Sequence, residues 1–117
     1  EWTTLTTELG GQDVAGGKMK SVGTAYWNSA NTGATNESGF SALPGGYRFN
    51  SGSFTNTRSF FAFFWSATEI KTSRAWTLSL TNDTGFLDKT WAFKQEGLSV
   101  RCIKNSSASK RVQRVIR

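Results

Sequence analysis

Acid–base chemistry in this chain would depend on eight carboxylates, because the sequence contains no histidine. Without histidine, Ser-His-Asp and Cys-His sites and histidine-based metal centres are excluded. A glycoside hydrolase needs two carboxyl groups facing each other across a cleft, and no spacing here singles out such a pair. Glu69 is the best single candidate, although a structural role at a strand end explains it more simply. The eight are Glu1, Glu8, Asp13, Glu37, Glu69, Asp83, Asp88 and Glu96.

Thiol and metal chemistry are equally restricted. Cys102 is the only cysteine, so no disulfide can form within the chain, and the compartment is not indicated by cysteine usage. In the apolar string 100–103, Cys102 is predicted to be a small buried hydrophobe. The Asn82-Asp83 dipeptide offers oxygen atoms of the kind that bind calcium, but it is more typical of a turn. We therefore predict no metal and no cofactor.

The ring-rich segment 60–68 is the strongest candidate for a binding surface. In a strand only every second side chain can face one core, so either both sides are covered or some rings are exposed. These alternatives stay open from the sequence. Exposed rings would form an apolar patch of the kind that contacts proteins or stacks on sugar rings. Its predicted members are Phe60, Phe61, Phe63, Arg74, Thr77, Asn82, Lys89, Trp91 and Phe93.

The first part of the chain is predicted to contain one or two helices. Apolar residues at Trp2, Leu5 and Leu9 indicate an amphipathic helix that ends at Gly10-Gly11. Residues 14–25 are compatible with a helical turn or with extended chain. The polar, nearly uncharged residues 28–38 predict a surface loop.

The second part is predicted to consist of short strands. Residues 74–81 alternate in a way typical of a strand with one covered face, and the ring-rich residues 60–68 favour a central strand. Further strands are expected at 47–49, 86–93 and 98–103, with a hairpin turn at 82–85. This order predicts an α+β domain with short antiparallel strands and long polar loops. The pattern alone also allows a small sandwich.

Length and charge indicate one domain with a distinct tail. A chain of 117 residues fits one domain, which we place at residues 1–105. The net charge is +6, and five cations lie after residue 103 with no acid among them, which leaves +1 for residues 1–103. Residues 106–117 are therefore predicted to be a basic flexible tail. Because the cations and the rings lie mostly apart, nucleic-acid binding is not expected.

Neither a transmembrane segment nor a signal peptide is visible in the sequence. No stretch approaches the ~20 apolar residues that a membrane-spanning helix needs. The chain begins at Glu1 without an initiator methionine. We therefore expect it to be part of a longer protein.

Three motifs in order support a family assignment. They are GFSALPGGYR at residues 39–48, WSATE at 65–69 and EGLSVRC at 96–102. With EWTTL at the start, GGQDVAGGKMK at 10–20 and the region around Trp27, they resemble the Fibrobacter succinogenes major paralogous domain over roughly residues 1–105. That family groups bacterial surface and secreted proteins. It looks like a branch of the C-type-lectin-like group, and the resemblance implies a C-type-lectin-like fold.

The wider group includes formylglycine-generating enzymes and variable proteins diversified by retroelements. The enzymes use a pair of cysteines, and the single Cys102 disfavours that chemistry here. The disulfide pairs of animal C-type lectins are also absent. The variable proteins concentrate changeable residues between a WSAT-like and a GLSVRC-like strand. The resemblance therefore implies a binding surface on a scaffold fixed by Trp65, Ser66, Gly97, Val100 and Arg101.

These observations together predict a non-enzymatic ligand-binding or display module. It would belong to a bacterial surface protein or a phage tail or fibre, outside the cell or on the phage particle. Its partner would be a protein or a carbohydrate on a cell surface, contacted by the aromatic-rich face. The alternative is a structural domain of a larger envelope protein or adhesin without a ligand of its own. A carbohydrate-active enzyme is the third and weakest interpretation.

Overall fold

Two short helices precede all the strands of this α+β domain. The computed structural model describes residues 1–54 and 57–104, and the backbone of residues 113–115. Helix α1 and helix α2 are followed by a three-stranded sheet and a two-stranded sheet. The elements are α1 (Trp2–Glu8), α2 (Gln12–Met19), β1 (Phe61–Lys71), β2 (Arg74–Thr81), β3 (Asp88–Phe93), β4 (Cys102–Lys104) and β5 (Gln113–Val115). The predicted α+β class is therefore confirmed.

The three-stranded sheet is antiparallel, with β2 between β1 and β3. Single bridges extend the outer side of β1, where Ala62 pairs with Gly46 and Phe64 with Ser99. The pairing of β1 with β2 shifts between Trp65 and Glu69, which marks a bulge. Strand β1 is therefore an edge strand of this sheet, and the prediction that residues 60–68 form a central strand is wrong. Among the described residues, only the two single bridges flank its outer side.

The predicted helix α1 is confirmed. Helix α2 shows which of the two alternatives, helical turn or extended chain, applies to the start of residues 14–25. Helix α1 ends before Gly10 and Gly11, whose φ angles of 99° and 100° are easily adopted only by glycine. Helix α2 covers the first half of residues 14–25, and the chain after Met19 is not helical. The segment predicted as a strand at 47–49 forms only single bridges at Arg48.

Residues 77–80 of β2 are buried on both faces of the sheet, so the prediction of one covered face is wrong. Leu78 and Leu80 are buried on one face, and Thr77 and Ser79 are buried on the other. The face that bears Thr77 and Ser79 is covered by rings of β1 and by residues 47–49, where the Tyr47 ring lies 4.9 Å from the ring of Phe63. Alternation of residue types did not reveal this cover because Thr and Ser are polar.

The hydrophobic core lies between the helices, the loops and one face of the sheet. Trp27, Met19, Leu80 and Leu87 are fully buried there. The Trp27 indole N–H donates to the carbonyl of Ala42 at 3.0 Å, so this large side chain is buried with its polar atom satisfied. At the α1 end, the rings of Trp2, Phe40 and Phe64 lie 5.5–5.8 Å apart.

Helix α2 packs through glycine backbone. Gly16 and Gly17 are buried in its middle. The Gly17 N–H donates to the carbonyl of Gly85 at 3.0 Å, and the Gly17 carbonyl accepts from the Thr35 N–H at 2.9 Å. A Cβ atom on Gly17 would lie 2.2 Å from the carbonyl oxygen of Gly33. The two glycines therefore serve close approach, which compensates for their poor helix propensity.

Lys20 follows α2 and is a buried cation with a side chain that is 0% exposed. Its Nζ donates to the carbonyl oxygens of Thr32 at 2.8 Å, Thr81 at 2.9 Å and Thr84 at 3.0 Å. All three N–H groups of the ammonium are thus satisfied. The cation also lies 5.5 Å from the Trp27 ring centroid. Lys20 ties a loop, a strand end and a turn to the helix.

The last strand departs from the prediction for Cys102. Its side chain is exposed, whereas we expected it to be buried. Strand β4 alternates, with Ile103 packed against the core and the residues on either side exposed. Strand β5, within the predicted tail, pairs antiparallel with β4. The other residues of the predicted tail lie outside the described residues.

The scaffold residues implied by the family resemblance are only partly buried. Ser66 is buried, and Gly97 pairs with Arg48 through two backbone hydrogen bonds of 2.9 Å each. Arg101 donates to the Phe40 carbonyl at 2.9 Å, and its guanidinium carbon lies 3.8 Å from the Phe40 ring centroid. Val100 is 54% exposed and contributes little buried surface. Among the helices in the described residues, none has the length and apolar character needed to cross a membrane.

Candidate functional site

The strand register divides the predicted site residues between two faces of the sheet. Cross-strand partners share a face, and neighbours along a strand lie on opposite faces. Phe64 pairs with Leu78 and Trp76 pairs with Trp91. We call the face that bears these four residues the helical face, because the α1 residue Trp2 packs on Phe64. The opposite face is called the loop face.

Phe61, Phe63 and Thr77 lie on the loop face, and none of them is exposed. The Phe61 and Phe63 rings stack at 5.6 Å, and Tyr47 covers Phe63. Thr77 is 1% exposed, and its hydroxyl has no hydrogen-bond partner among the described residues. A ligand cannot contact a side chain buried to this degree. The structure therefore does not bring these three together with the exposed members of the predicted patch.

Phe60 and Asn82 lie at the far end of the sheet. The Asn82 N–H donates to the Phe60 carbonyl at 3.0 Å, and the Asn82 side-chain amide donates to the Ser29 carbonyl at 3.0 Å. Asn82 directly follows β2, while Arg74 begins it. Eight residues of extended chain separate the two by roughly 26 Å. Asn82 fastens a loop to the sheet and does not border the same surface as Arg74.

The remaining predicted residues form one surface on the helical face. Strand β3 contributes three alternate residues, Lys89, Trp91 and Phe93. Arg74 of β2 is the cross-strand partner of Phe93. Trp91 is 43% exposed and Phe93 is 38% exposed. Trp76 lies beside them as the cross-strand partner of Trp91. We call this surface the aromatic shelf; its members are Arg74, Trp76, Lys89, Trp91 and Phe93.

Two cations are stacked on the rings of the aromatic shelf. The guanidinium carbon of Arg74 lies 4.7 Å from the Trp91 ring centroid, and the Lys89 Nζ lies 4.8 Å from that of Trp76. These distances are within the range of cation–π attraction. The Trp91 and Phe93 rings meet edge to face at 5.2 Å. Each side chain of the shelf is thus oriented by another, which reduces the entropy that a ligand would have to overcome.

The two cations of the aromatic shelf form no ion pair within the described residues. Within residues 1–54 and 57–104, the ion pairs join Lys18 to Glu37 and Lys94 to Glu69. Neither Arg74 nor Lys89 has a carboxylate partner in that part of the chain. An unpaired cation beside partly exposed rings can receive an anionic group from outside.

A cleft of about 440 Å³ adjoins the shelf between α1 and the sheet. Trp76 and Lys89 belong to both surfaces, and the opposite wall carries hydroxyl side chains from α1. We call it the threonine cleft; its main lining residues are Trp2, Thr3, Thr6, Thr7, Trp76 and Lys89. Its volume lies within the range of small-molecule sites, about 300–1,000 Å³. Among the described residues that line it, none is acidic.

Two parts of this site were missed from the sequence. Trp76 was recognised only as one residue of an alternating strand. Thr3, Thr6 and Thr7 recur at helical spacing on a side of α1 away from Leu5, and that spacing was a signal that could have been used. Their position beside the sheet depends on how α1 packs, which the sequence pattern does not specify.

Three of the carboxylates considered for catalysis make local contacts. Glu69 is exposed and forms an ion pair with Lys94. Asp83 accepts a hydrogen bond of 2.7 Å from the Thr81 hydroxyl within the turn, and Glu96 accepts one of 3.1 Å from the Phe93 N–H. In the described parts of the chain, no group of three or more His, Cys, Asp or Glu side chains could hold a metal ion.

Comparison with known proteins gave one family. The model of the Fibrobacter succinogenes major domain matches residues 1–104. The match ends at the last residue of β4 and spans both helices and the whole three-stranded sheet. No curated protein matches the chain. No solved structure matches it either.

Proposed function

The chain belongs to the Fibrobacter succinogenes major domain family, and on that premise we propose that it is a non-enzymatic ligand-binding module. The module is displayed outside the cell by a bacterial surface protein, or on a phage tail or fibre. It binds a protein or a glycan of a cell surface. The aromatic shelf makes the contact.

The exposure of the shelf is the observation that carries this proposal. Trp91 and Phe93 are large apolar side chains left 43% and 38% exposed on a paired strand. Aromatic rings contribute large buried areas when a partner covers them, and they are enriched among the residues that dominate binding energy. A strand holds them more precisely than a loop would. The arrangement therefore suits recognition.

A C-type-lectin-like fold is part of the proposal. Two helices at the start, a long irregular segment and a late antiparallel sheet support it. In that arrangement the shelf lies between the WSATE and EGLSVRC motifs, where the variable relatives concentrate their changeable residues. Fold alone does not imply function, so the proposal depends on the shelf.

The proposal is tested by screening the full chain against a glycan array and a panel of cell-surface proteins. Trp91→Ala and Phe93→Ala are each expected to weaken binding to the ligand found by at least about tenfold, because both remove ring contact at the centre of the surface. Tyr26→Ala is the matched control, since Tyr26 is 62% exposed but lies outside the shelf.

Two results would overturn the proposal. One is the absence of any ligand in both screens. The other is a ligand that both shelf variants bind as tightly as the unaltered protein does. Circular dichroism of each variant separates loss of contact from loss of folding.

A second candidate is a structural domain of a larger envelope protein or adhesin. It is favoured by an apolar groove of about 490 Å³ whose lining includes Leu5, Phe40 and Ile103. The groove lies beside β4, the strand that pairs with β5 of the tail. Deleting residues 106–117 distinguishes the candidates by light scattering. Loss of assembly supports the structural role, and an unchanged state with retained ligand binding supports the recognition role.

A further inference from the structure

The aromatic shelf has the form of a platform on which flat rings can stack. Trp76 and Trp91 are direct partners on adjacent strands, and Phe93 continues the row along β3. Adjacent strands are about 4.8 Å apart, and alternate residues of one strand are about 6.7 Å apart. The C–H face of a sugar ring is apolar, and covering it with an aromatic ring removes apolar area of both from water.

The threonine cleft supplies polar groups beside that platform. Thr3, Thr6 and Thr7 face it from α1, and Ser66 and Thr68 line it from the bulged part of β1. The Thr6 and Thr7 hydroxyls donate to the carbonyls of Trp2 at 2.8 Å and Thr3 at 3.0 Å, so they offer a ligand acceptor oxygens. Trp2, Trp76 and Leu78 make part of the lining apolar. A ligand that has both apolar ring faces and hydroxyl groups fits this mixed lining.

The charge of the site points to an anionic ligand. Arg74 and Lys89 have no carboxylate partner in the described residues, and the described lining of the cleft contains no acid. A guanidinium that stacks on a ring keeps the N–H groups at its edge available, and its fork matches the two oxygens of a carboxylate. Nucleic acid carries a phosphate on every nucleotide and is usually held by an extended basic groove. Two cations are few for that purpose.

We propose that the aromatic shelf and the threonine cleft together bind an acidic glycan, a polysaccharide whose sugar rings carry carboxylates. The sugar rings stack on Phe93 and on the ring faces of Trp76 and Trp91 that Lys89 and Arg74 do not cover. Arg74 and Lys89 pair with the carboxylates, and sugar hydroxyls enter the cleft. This inference rests on the proposed function and specifies its ligand class.

The test compares acidic and neutral forms of the same polymer by isothermal titration calorimetry with the full chain. The acidic probes are polygalacturonate, alginate and hyaluronan, and the neutral probe is fully methyl-esterified polygalacturonate. At least one acidic probe is expected to bind. Esterification is expected to weaken binding by at least about tenfold, the loss expected for one charge-assisted hydrogen bond.

Variants distinguish binding at this site from non-specific attraction of an acidic polymer to a basic chain. Arg74→Met and Lys89→Met keep the aliphatic contacts and remove the charge, and each is expected to weaken binding at least about tenfold. Arg58→Met removes one charge from an exposed position elsewhere and should leave binding unchanged. Replacing Lys110, Arg111, Arg114 and Arg117 with glutamine measures the contribution of the tail. Poly-glutamate and poly(dT) are expected to bind more weakly than the uronate polymer.

The outcomes distinguish this inference from the proposed function. Failure of all three acidic polymers to bind, or equal binding of the acidic and esterified forms, overturns the acidic-glycan inference. Equal binding of poly-glutamate or poly(dT), or equal losses in Arg58→Met and Arg74→Met, also overturns it. The proposed function stands in each case if another ligand is found whose binding depends on Trp91 and Phe93.

Discussion

Replacing Gly17 with alanine is expected to lower the free energy of unfolding by more than about 3 kcal/mol. The new Cβ would lie 2.2 Å from the carbonyl oxygen of Gly33 and 2.8 Å from its carbonyl carbon. Both are backbone atoms. Neighbouring hydrogen bonds of 2.9 Å hold this loop, one from the Thr32 N–H to the Asn82 carbonyl and one from the Thr35 N–H to Gly17 itself. The loop cannot withdraw without losing them.

The sign of this effect is opposite to the one that helix propensity predicts. Gly17 lies within α2, where alanine is favoured over glycine by roughly 0.5–1 kcal/mol. Because a domain of this kind has about 5–15 kcal/mol of stability in total, a steric cost several times the propensity gain would be conspicuous. Urea denaturation followed by tryptophan fluorescence measures the difference.

Gly85→Ala is the matched control, because Gly85 lies next to the same helix and its carbonyl accepts from the Gly17 N–H at 3.0 Å. Its new Cβ would lie no closer than 3.7 Å to its nearest neighbour, the Asp13 carbonyl oxygen, which is ordinary contact. We expect this variant to remain within about 1 kcal/mol of the unaltered protein. If Gly17→Ala is as stable as Gly85→Ala, the packing of α2 described here is wrong.

Replacing Lys20 with methionine is expected to cost about 3 kcal/mol of stability. Methionine fills the volume of the aliphatic stem but leaves three partly buried carbonyl oxygens without the donors that now lie 2.8–3.0 Å away. Each buried polar group left unsatisfied costs roughly 1–3 kcal/mol. Removing the buried charge recovers part of that cost, so the net loss is smaller than the sum of the three.

Lys18→Met is the control for the loss of a lysine charge two residues away, within α2. Lys18 is partly exposed, and its ion pair with Glu37 spans 3.8 Å. Such surface pairs contribute less than about 1 kcal/mol. Similar losses of stability in the two variants, measured by urea denaturation at pH 7, would show that the three carbonyl contacts of Lys20 are not important.

Lys20 should also make stability depend on pH. Burial lowers its pKa from 10.5 to about 8, although the carboxylate of Asp83 opposes the change. Between these two pH values the native state has lost the proton while the unfolded state retains it. The unfolded state binds more protons there, so stability rises with pH across this window. Below it both states hold the proton, and the contribution of this group no longer changes with pH. The contribution reaches up to about 3 kcal/mol.

The pH dependence is measured as the difference in unfolding free energy between the unaltered protein and Lys20→Met, because other titrating groups then cancel. That difference should widen from pH 8 to pH 10.5. A difference that stays constant or narrows would contradict the assignment of Lys20 as a buried, desolvated cation.

The sequence correctly predicted those helices and strands whose pattern of apolar residues is contained in a few neighbouring positions. Helix α1 follows from the spacing of its apolar residues before Gly10-Gly11, and β2 has the predicted bounds, residues 74–81. Helix α2 could not be predicted in the same way, because Gly16 and Gly17 disfavour a helix locally. Only their contact with the backbone near residues 33 and 85 explains them.

The site was predicted only in part, because faces of a sheet are determined by register and by the segments that cover them. Arg74, Lys89, Trp91 and Phe93 lie together as the sequence suggested. Phe63 does not join them, since alternation places it on the loop face under Tyr47. Nothing in residues 60–68 indicates which rings Tyr47 will cover. That contact is made by a segment more than ten residues away in sequence.

The most direct test of the recognition proposal is NMR titration with the tightest ligand of the glycan and protein screen. The five tryptophan indole N–H signals report separate regions of the molecule. Trp76 and Trp91 of the aromatic shelf are predicted to shift, while buried Trp27 and loop-face Trp65 stay in place. A bound ligand that shifts the Trp65 signal and leaves those of Trp76 and Trp91 unchanged would contradict the account.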